Sequence, residues 1–298
     1  MSLQVRRPGP AMRDRTTLRL GGTTLAELLL RADADLDHLA QLLVTEGGRF
    51  LALGAGSNLL CADGDLPLVL CSVGNVSEPE MEPGENCVLV RTGAGLKFPV
   101  LLGWTSRNGL SGLENLTGIP GSVGGAVAMN AGSYGTCMAD VINRVRLWTP
   151  EEGLNWVDAS ACCFGYRRFS LGGEMCSPDP FYLVWEVELR LQPSLPDKVR
   201  AAMRYTMARK RVTQPVTAWS AGCVFKNPEG HRAGKLLDQA GMRGKRLGGM
   251  AFSELHANFL VNLGQGTASQ ALELLETGRA AVRDRFGIAL ETEVIVLP

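Results

Sequence analysis

Residues Gly118–Gly135 read GIPGSVGGAVAMNAGSYG, with glycine at 118, 121, 124, 125, 132 and 135 and small residues in most of the gaps. Glycine permits positive φ and removes the Cβ that would block a close approach. Successive amides with no side chain in the way can cradle a diphosphate, above all where a helix begins. The VGGAVAM portion reads as a helix start that packs tightly. A tight loop in close helix contact, with no ligand, would need the same residues. A second glycine loop stands upstream, where apolar Phe50–Leu53 runs into Gly54-Ala55-Gly56-Ser57-Asn58-Leu59. It is not a dinucleotide fingerprint. That pattern needs glycine where Leu59 stands and a helix to follow. Here Asp63-Gly64-Asp65 makes a turn, and Leu66–Leu70 reads as another strand.

The elements that must carry these loops follow from periodicity. A strand is expected over Thr24–Arg31. A helix is expected over Leu36–Glu46, capped by Asp35 or Asp37 and ended by Gly47-Gly48. Together with the first loop these make a small βαβ unit over residues 1–73, whose first twenty residues are polar and read as partly loose. Gly74–Glu85, with Pro79, Pro83 and several acids, reads as a connection. A strand over Cys87–Thr92, a helix over Lys97–Asn108, the glycine run, and strands over Val141–Thr149, Leu154–Val157 and Tyr182–Leu191 then form a mixed unit over 74–193. Pro193 and Pro196 open a third part, 194–298. Its helices are expected over Asp197–Arg211, Gly234–Ala240 and Ala268–Phe286, and its strands over Cys223–Lys226 and Glu291–Leu297. The fold class is α+β.

Composition bounds the function. The 298 residues carry no formal net charge and are 45% hydrophobic, enough for two or three subdomains with real cores. Balanced charge gives no reason to propose nucleic acid or an anionic membrane as the partner. No apolar stretch approaches the roughly 20 residues of a membrane span. The N-terminal residues lack the apolar core of a secretory signal, so the expected location is cytoplasmic. Eight cysteines, at 61, 71, 87, 137, 162, 163, 176 and 223, form no CxxC and no zinc spacing with the three histidines. No metal site is expected, and most of the thiols are expected to be small buried apolar groups.

GAGSNLL followed by GLENLTGIPGSVGGAVAMNAGSYG resembles the UDP-N-acetylenolpyruvoylglucosamine reductase family. TTLRLGG (Thr16–Gly22), FGYR (Phe164–Arg167), SAGCVFKNP (Ser220–Pro228), HANFLVN (His256–Asn262) and LETEV (Leu290–Val294) extend the likeness, in order, over nearly the whole chain. The resemblance implies a two-part FAD-binding domain like that of the p-cresol methylhydroxylase and vanillyl-alcohol oxidase group. A substrate-binding domain follows, with its last strand returning to the active site. It implies noncovalent FAD, held by Gly54, Ala55, Gly56, Ser57, Asn58 and Leu59. The second loop would add Gly118, Ile119, Pro120, Gly121, Ser122, Gly124, Gly125, Ala126, Asn130, Ala131 and Gly132. Lys210, in the basic run Arg209–Arg211, would reach a phosphate. NADPH would be the hydride donor, and UDP-N-acetylglucosamine enolpyruvate the acceptor that becomes UDP-N-acetylmuramate for peptidoglycan synthesis.

Within that resemblance Arg167 matches the arginine that holds the substrate carboxylate, with Arg168 as the alternative register and Tyr166 lining the pocket. Glu293 matches the acidic residue, Glu291 being its near neighbour. Lys226 and Asn227 match residues facing the nucleotide diphosphate or sugar. The family pattern SxGS ends in a serine that donates a proton. Here the position is Cys223, whose thiol, with a reference pKa of about 8.5, is a stronger acid than a hydroxyl. Ser220 or a water is the alternative donor. His256 reads as structural. Two other functions stay open: an FAD-linked oxidase of the same superfamily, against which the lack of a histidine in the first loop weighs, and a flavin or UDP-sugar binding protein without catalysis. Oligomeric state is left open, with a monomer allowed.

Overall fold

The strand Leu183–Pro193, LVWEVELRLQP, is buried along most of its length in the computed structural model, which describes residues 3–45, 47–171 and 181–298. A continuous apolar run of this kind belongs inside a sheet. It lies in the middle of an antiparallel sheet ordered Gly153–Asp158, Ile142–Thr149, Leu183–Pro193, Val88–Gly93, Glu80–Pro83, and Leu110–Ser111 pairs with its end. Its two acids are buried and therefore paired. Arg144 meets Glu188 at 2.8 Å, and Arg146 meets Glu186 at 2.7 Å. The strand at Glu80–Pro83 lies within the segment expected to be a bare connection. Alternation over so few residues, interrupted by prolines, left no pattern to read.

This sheet belongs to the first of two compact units, made of Met1–Arg6, Glu27–Gly54 and Val69–Ala208. Helix α1, Asp33–Thr45, begins where the Asp35 carboxylate accepts the N–H groups of Arg31 (2.7 Å) and Ala32 (3.0 Å). Glu46, its expected end, lies outside the described residues. Helices α2, Phe98–Arg107, and α3, Val123–Ala128, cover the sheet through Phe98, Leu101, Val123 and Val127 against Val90, Val187 and Leu189. A smaller sheet is ordered Gln4–Arg6, Thr23–Leu30, Asp65–Val73, Arg49–Leu53. Helix α4 spans Pro196–Thr213.

The second unit comprises Arg7–Ala26, Ala55–Leu68 and Arg209–Pro298. Its antiparallel sheet is ordered Trp219–Cys223, Phe259–Asn262, Met250–Phe252, Arg246–Leu247. Helices α5, Ala233–Gln239, and α6, Ala268–Phe286, pack on it around Phe225, Phe252, Leu237 and Leu275. The Thr267–Gln270 capping box starts α6, and Gly287, at φ 69°, ends it. Ile295–Leu297 pairs in parallel with Leu59–Cys61. Leu18 and Leu20 join this core, and Met12 is fully buried, so the part of the N-terminal stretch from Met12 to Leu20 is anchored rather than loose. The units interleave along the chain, where the composition shifts mark three consecutive parts. The division falls inside Thr23–Leu30, Asp65–Val73 and α4. Continuous elements of this kind leave no Pro/Gly boundary to read.

Candidate active site

In the first unit Gly54, which follows the strand Arg49–Leu53, meets the start of α3. A Cβ on Gly54 would run into Ser122 Oγ, so the absent side chain lets this backbone lie close to the start of α3. The expected anion cradle at that helix start is closed from within. The Val123 N–H donates to Leu96 O (2.9 Å), that of Gly124 to Ala94 O (2.8 Å) and that of Gly125 to Ser122 Oγ (3.2 Å). Gly124 is needed for packing, because a Cβ there would stand 2.9 Å from Ala94 Cβ and 3.5 Å from Val184 Cβ. The helix is short and pressed onto its sheet, so its first amides serve the protein.

The Thr117 hydroxyl, at the head of the same loop, is buried with no hydrogen-bond partner among the described residues. An unsatisfied buried polar group costs about 1–3 kcal/mol. A cofactor atom at this loop would satisfy it. The orphaned hydroxyl and the close approach of Gly54 to the start of α3 fit a bound dinucleotide such as FAD, held in this unit by backbone from Gly118 to Ser122 and at Gly54.

Arg167 sits in the two-residue turn of the hairpin Cys162–Gly165 and Arg168–Leu171, which pairs Gly165 with Arg168. Its backbone is left-handed, φ 55°. Its Nη2 donates to Gly132 O at 3.1 Å, and its guanidinium lies 5.0 Å from the Tyr166 ring centre. Arg168 is exposed on the strand. The glycine run ends in a second hairpin, Gly132–Ser133 with Thr136–Cys137, whose turn residues Tyr134 and Gly135 both have positive φ. Arg167 and the end of the glycine run are thus brought together. Neither hairpin has enough alternation to be found from sequence.

In the second unit Cys223 ends the strand Trp219–Cys223, opposite Phe259, after a register shift that begins at Ser220. Gly222, at φ 80°, makes the shift. The strand expected over Cys223–Lys226 is displaced toward the N-terminus. Ser220 Oγ accepts from the Gly222 N–H at 3.0 Å, while Thr17 Oγ1 donates to Ser220 O at 2.7 Å. Glu293 is half-buried and lies in a bend; the last strand covers only Ile295–Leu297. Its N–H donates to Val224 O at 2.8 Å, so Glu293 and Cys223 stand on adjoining backbone. The nearby Asn58 amide donates to Glu293 O at 3.0 Å.

The remaining expected residues divide. Lys226 pairs with Glu291 at 3.2 Å on the surface. Asn227 Oδ1 holds the Ala233 N–H at 3.0 Å, at the start of α5. Lys210 is buried, whereas Arg209 and Arg211 are exposed, so the basic run is split by the helix face. His256, read as structural, packs within the second unit. Its ring packs 5.0 Å from that of Phe259, and its Nδ1 accepts from the Asn258 N–H at 3.3 Å. Burial, and then the Arg243 guanidinium, hold its pKa below the usual value. Among the described cysteines only Cys61 and Cys71 are buried, and burial pushes both thiols up to about 12. Cys163 is exposed and the rest are half-buried. Sheet edges and hairpin turns hold them, which corrects the expectation of mostly buried thiols. Cys176 lies outside the described residues. No group of three or more metal-binding side chains occurs among the described residues. Among them, too, no helix is long and apolar enough to cross a membrane.

Comparison with known proteins meets this geometry at both ends of the chain. A family model described as FAD binding domain matches residues 26–157. A second, UDP-N-acetylenolpyruvoylglucosamine reductase, C-terminal domain, matches residues 214–297. The chain is 49% identical over 297 residues to the UDP-N-acetylenolpyruvoylglucosamine reductase of Oleidesulfovibrio alaskensis, covering 97% of each chain. It is 48% identical to that of Nitratidesulfovibrio vulgaris, again covering 97% of each. The crystal structure of the reductase from Thermus caldophilus superposes with a TM-score of 0.82 at 33% identity, over 99% of this chain and 100% of that one. With near-complete coverage at this identity, and with the fold shared from end to end, the chain belongs to the UDP-N-acetylenolpyruvoylglucosamine reductase family.

Proposed function

We propose that the protein is an NADPH-dependent flavoenzyme that reduces the enolpyruvyl ether of UDP-N-acetylglucosamine to UDP-N-acetylmuramate, in the cytoplasm, for peptidoglycan synthesis. The observation that carries this reading is the 49% identity to a named reductase over 97% of both chains. The chemistry that bound FAD supplies is hydride transfer, from NADPH and then to the terminal methylene carbon of the enolpyruvyl group. Backbone of Gly54–Leu59, Gly118–Ser122, Gly124–Ala126, Ala131 and Gly132 would hold it, with Lys210 toward a phosphate; Asn130, whose amide is already bonded to Gly165 O and to the Ala139 N–H, serves the protein instead.

The chain's own part is to bind the acceptor, stabilise charge and deliver one proton. Hydride addition leaves an enolate-like charge on the substrate carboxylate. Arg167 binds that carboxylate and stabilises the charge most as it builds. Its half-buried guanidinium, already directed to Gly132 O, supports this over exposed Arg168. Glu293 acts on the same intermediate, and Cys223 Sγ protonates the neighbouring carbon. Tyr166 lines the carboxylate pocket. Lys226 and Asn227 face the nucleotide, although each already has a partner in the protein.

Anaerobic stopped-flow spectroscopy tests the reading. NADPH should bleach the yellow protein, and the enolpyruvyl substrate should restore the colour without oxygen. Recovery only with oxygen would make the protein an oxidase. A colourless protein that still binds a UDP-sugar would make it a binding protein.

A further inference from the structure

Arg167 holds a backbone conformation that arginine adopts when its surroundings impose it. One buried side chain does much of the imposing. Asn130 is 7% exposed, at the end of the glycine run. Its Nδ2 donates to Gly165 O at 3.0 Å, two residues before Arg167 and at the closing pair of the hairpin. Its Oδ1 accepts from the Ala139 N–H at 3.0 Å. The amide therefore clamps the Arg167 hairpin to the segment that follows the Gly132–Cys137 ribbon.

The circuit closes through the arginine itself. Arg167 Nη2 donates to Gly132 O, only two residues beyond Asn130. A Cβ on Gly132 would stand 3.2 Å from Arg167 Nη1, so the missing side chain leaves the guanidinium its place. Asn130 thus fixes the backbone at the root of Arg167 and lies two residues from the carbonyl that receives its tip. Asn130 is itself left-handed, φ 36°, a conformation asparagine tolerates better than most residues. We infer that Asn130 is a positioning residue for Arg167, acting on the substrate half-reaction through the arginine rather than on the cofactor. The inference rests on the reading of Arg167 given above.

Asparagine suits the task because one end donates and the other accepts. Aspartate has the same shape but offers Gly165 O no donor and sets a charge against it. Glycine removes the clamp while keeping the backbone conformation free of strain. A misplacement of about 1 Å can cost about 10²-fold in rate.

The test uses the full-length holoenzyme with Asn130→Asp and Asn130→Gly, each alone and combined with Arg167→Ala. The readouts are flavin content, thermal midpoint, NADPH bleaching rate, and kcat and KM for anaerobic reoxidation by the enolpyruvyl substrate. Flavin content and bleaching should stay within about twofold, while reoxidation should slow at least about tenfold, mainly in kcat. In the Arg167→Ala background either Asn130 change should add less than about twofold, because the two residues act as one. A full additional loss in that background would overturn the inference. So would a parallel fall in flavin content and both half-reactions, or loss of soluble protein in both variants, since each would make Asn130 a folding or cofactor residue. Normal reoxidation in both Asn130 variants, with Arg167→Ala slow, would also overturn it and leave the reading of Arg167 standing. A wild-type rate in Arg167→Ala would sink that reading instead.

Discussion

The Asn58 side-chain amide donates to the main-chain carbonyl of Glu293 at 3.0 Å, across 235 residues of sequence. The Glu293 N–H in turn donates to Val224 O at 2.8 Å. A residue of the first glycine loop, the residue after Cys223 and the candidate acid are therefore tied through one stretch of backbone. Glu291, two residues earlier, faces solvent and pairs with Lys226.

The two glutamates should separate cleanly. Glu293→Ala should leave NADPH bleaching near wild type and slow reoxidation by substrate at least about 10²-fold, the scale of losing an oxyanion-type group. Glu291→Ala removes only an exposed ion pair, worth about 0–1 kcal/mol, and should change neither half-reaction beyond about twofold. The reverse pattern in stopped flow would move the acid to Glu291.

The glycines of α3 should also separate. Gly124→Val drives a side chain into Ala94 and Val184, so it should cost folded protein, read as soluble yield and thermal midpoint. Gly125→Ala meets only Ser122 Oγ, at 3.3 Å, and alanine favours the helix. Its flavin-free form should melt no lower than wild type, while flavin affinity should fall about tenfold, or about 1.4 kcal/mol. Unchanged flavin affinity in Gly125→Ala would remove this part of the loop from the cofactor contact.

Cys223 should leave a mark on the pH profile. A thiol donates only while protonated, so turnover limited by protonation should fall as pH rises through its pKa. Cys223→Ser should keep substantial activity and lose that alkaline limb. Cys223→Ala should still bleach with NADPH but reoxidise slowly. Turnover of Cys223→Ala like wild type, with the limb unchanged, would pass the donor role to Ser220 or a water.

His256 should make stability fall in mild acid. Burial and Arg243 depress its folded pKa below the usual 6.5, so the unfolded chain binds the proton more readily. Stability is then full above about pH 6.5 and declines as pH falls below it. The thermal midpoint should drop between about pH 7.5 and about pH 5.5, and His256→Gln should shrink that drop. An equal drop in both proteins would show that other groups carry the acid sensitivity.

The long elements were legible because their periodicity is local. α6 begins and ends at the expected Ala268 and Phe286, with its capping box written in Thr267 and Gln270. The buried strand Leu183–Pro193 and the glycine loops were equally plain, and the order of motifs pointed to the family. What only the tertiary structure decided lies in short, irregular backbone. The Arg167 hairpin, the register shift before Cys223 and the bend at Glu293 each cover too few residues to carry a period. Their shapes depend on partners far along the chain, such as Asn130 for Gly165 and Asn58 for Glu293. The same holds for the amides at the start of α3. Composition marked them as a phosphate cradle, but packing against Ala94 and Leu96 used them first. A local pattern can name the residues that carry chemistry; which backbone groups are already spent depends on contacts between distant segments.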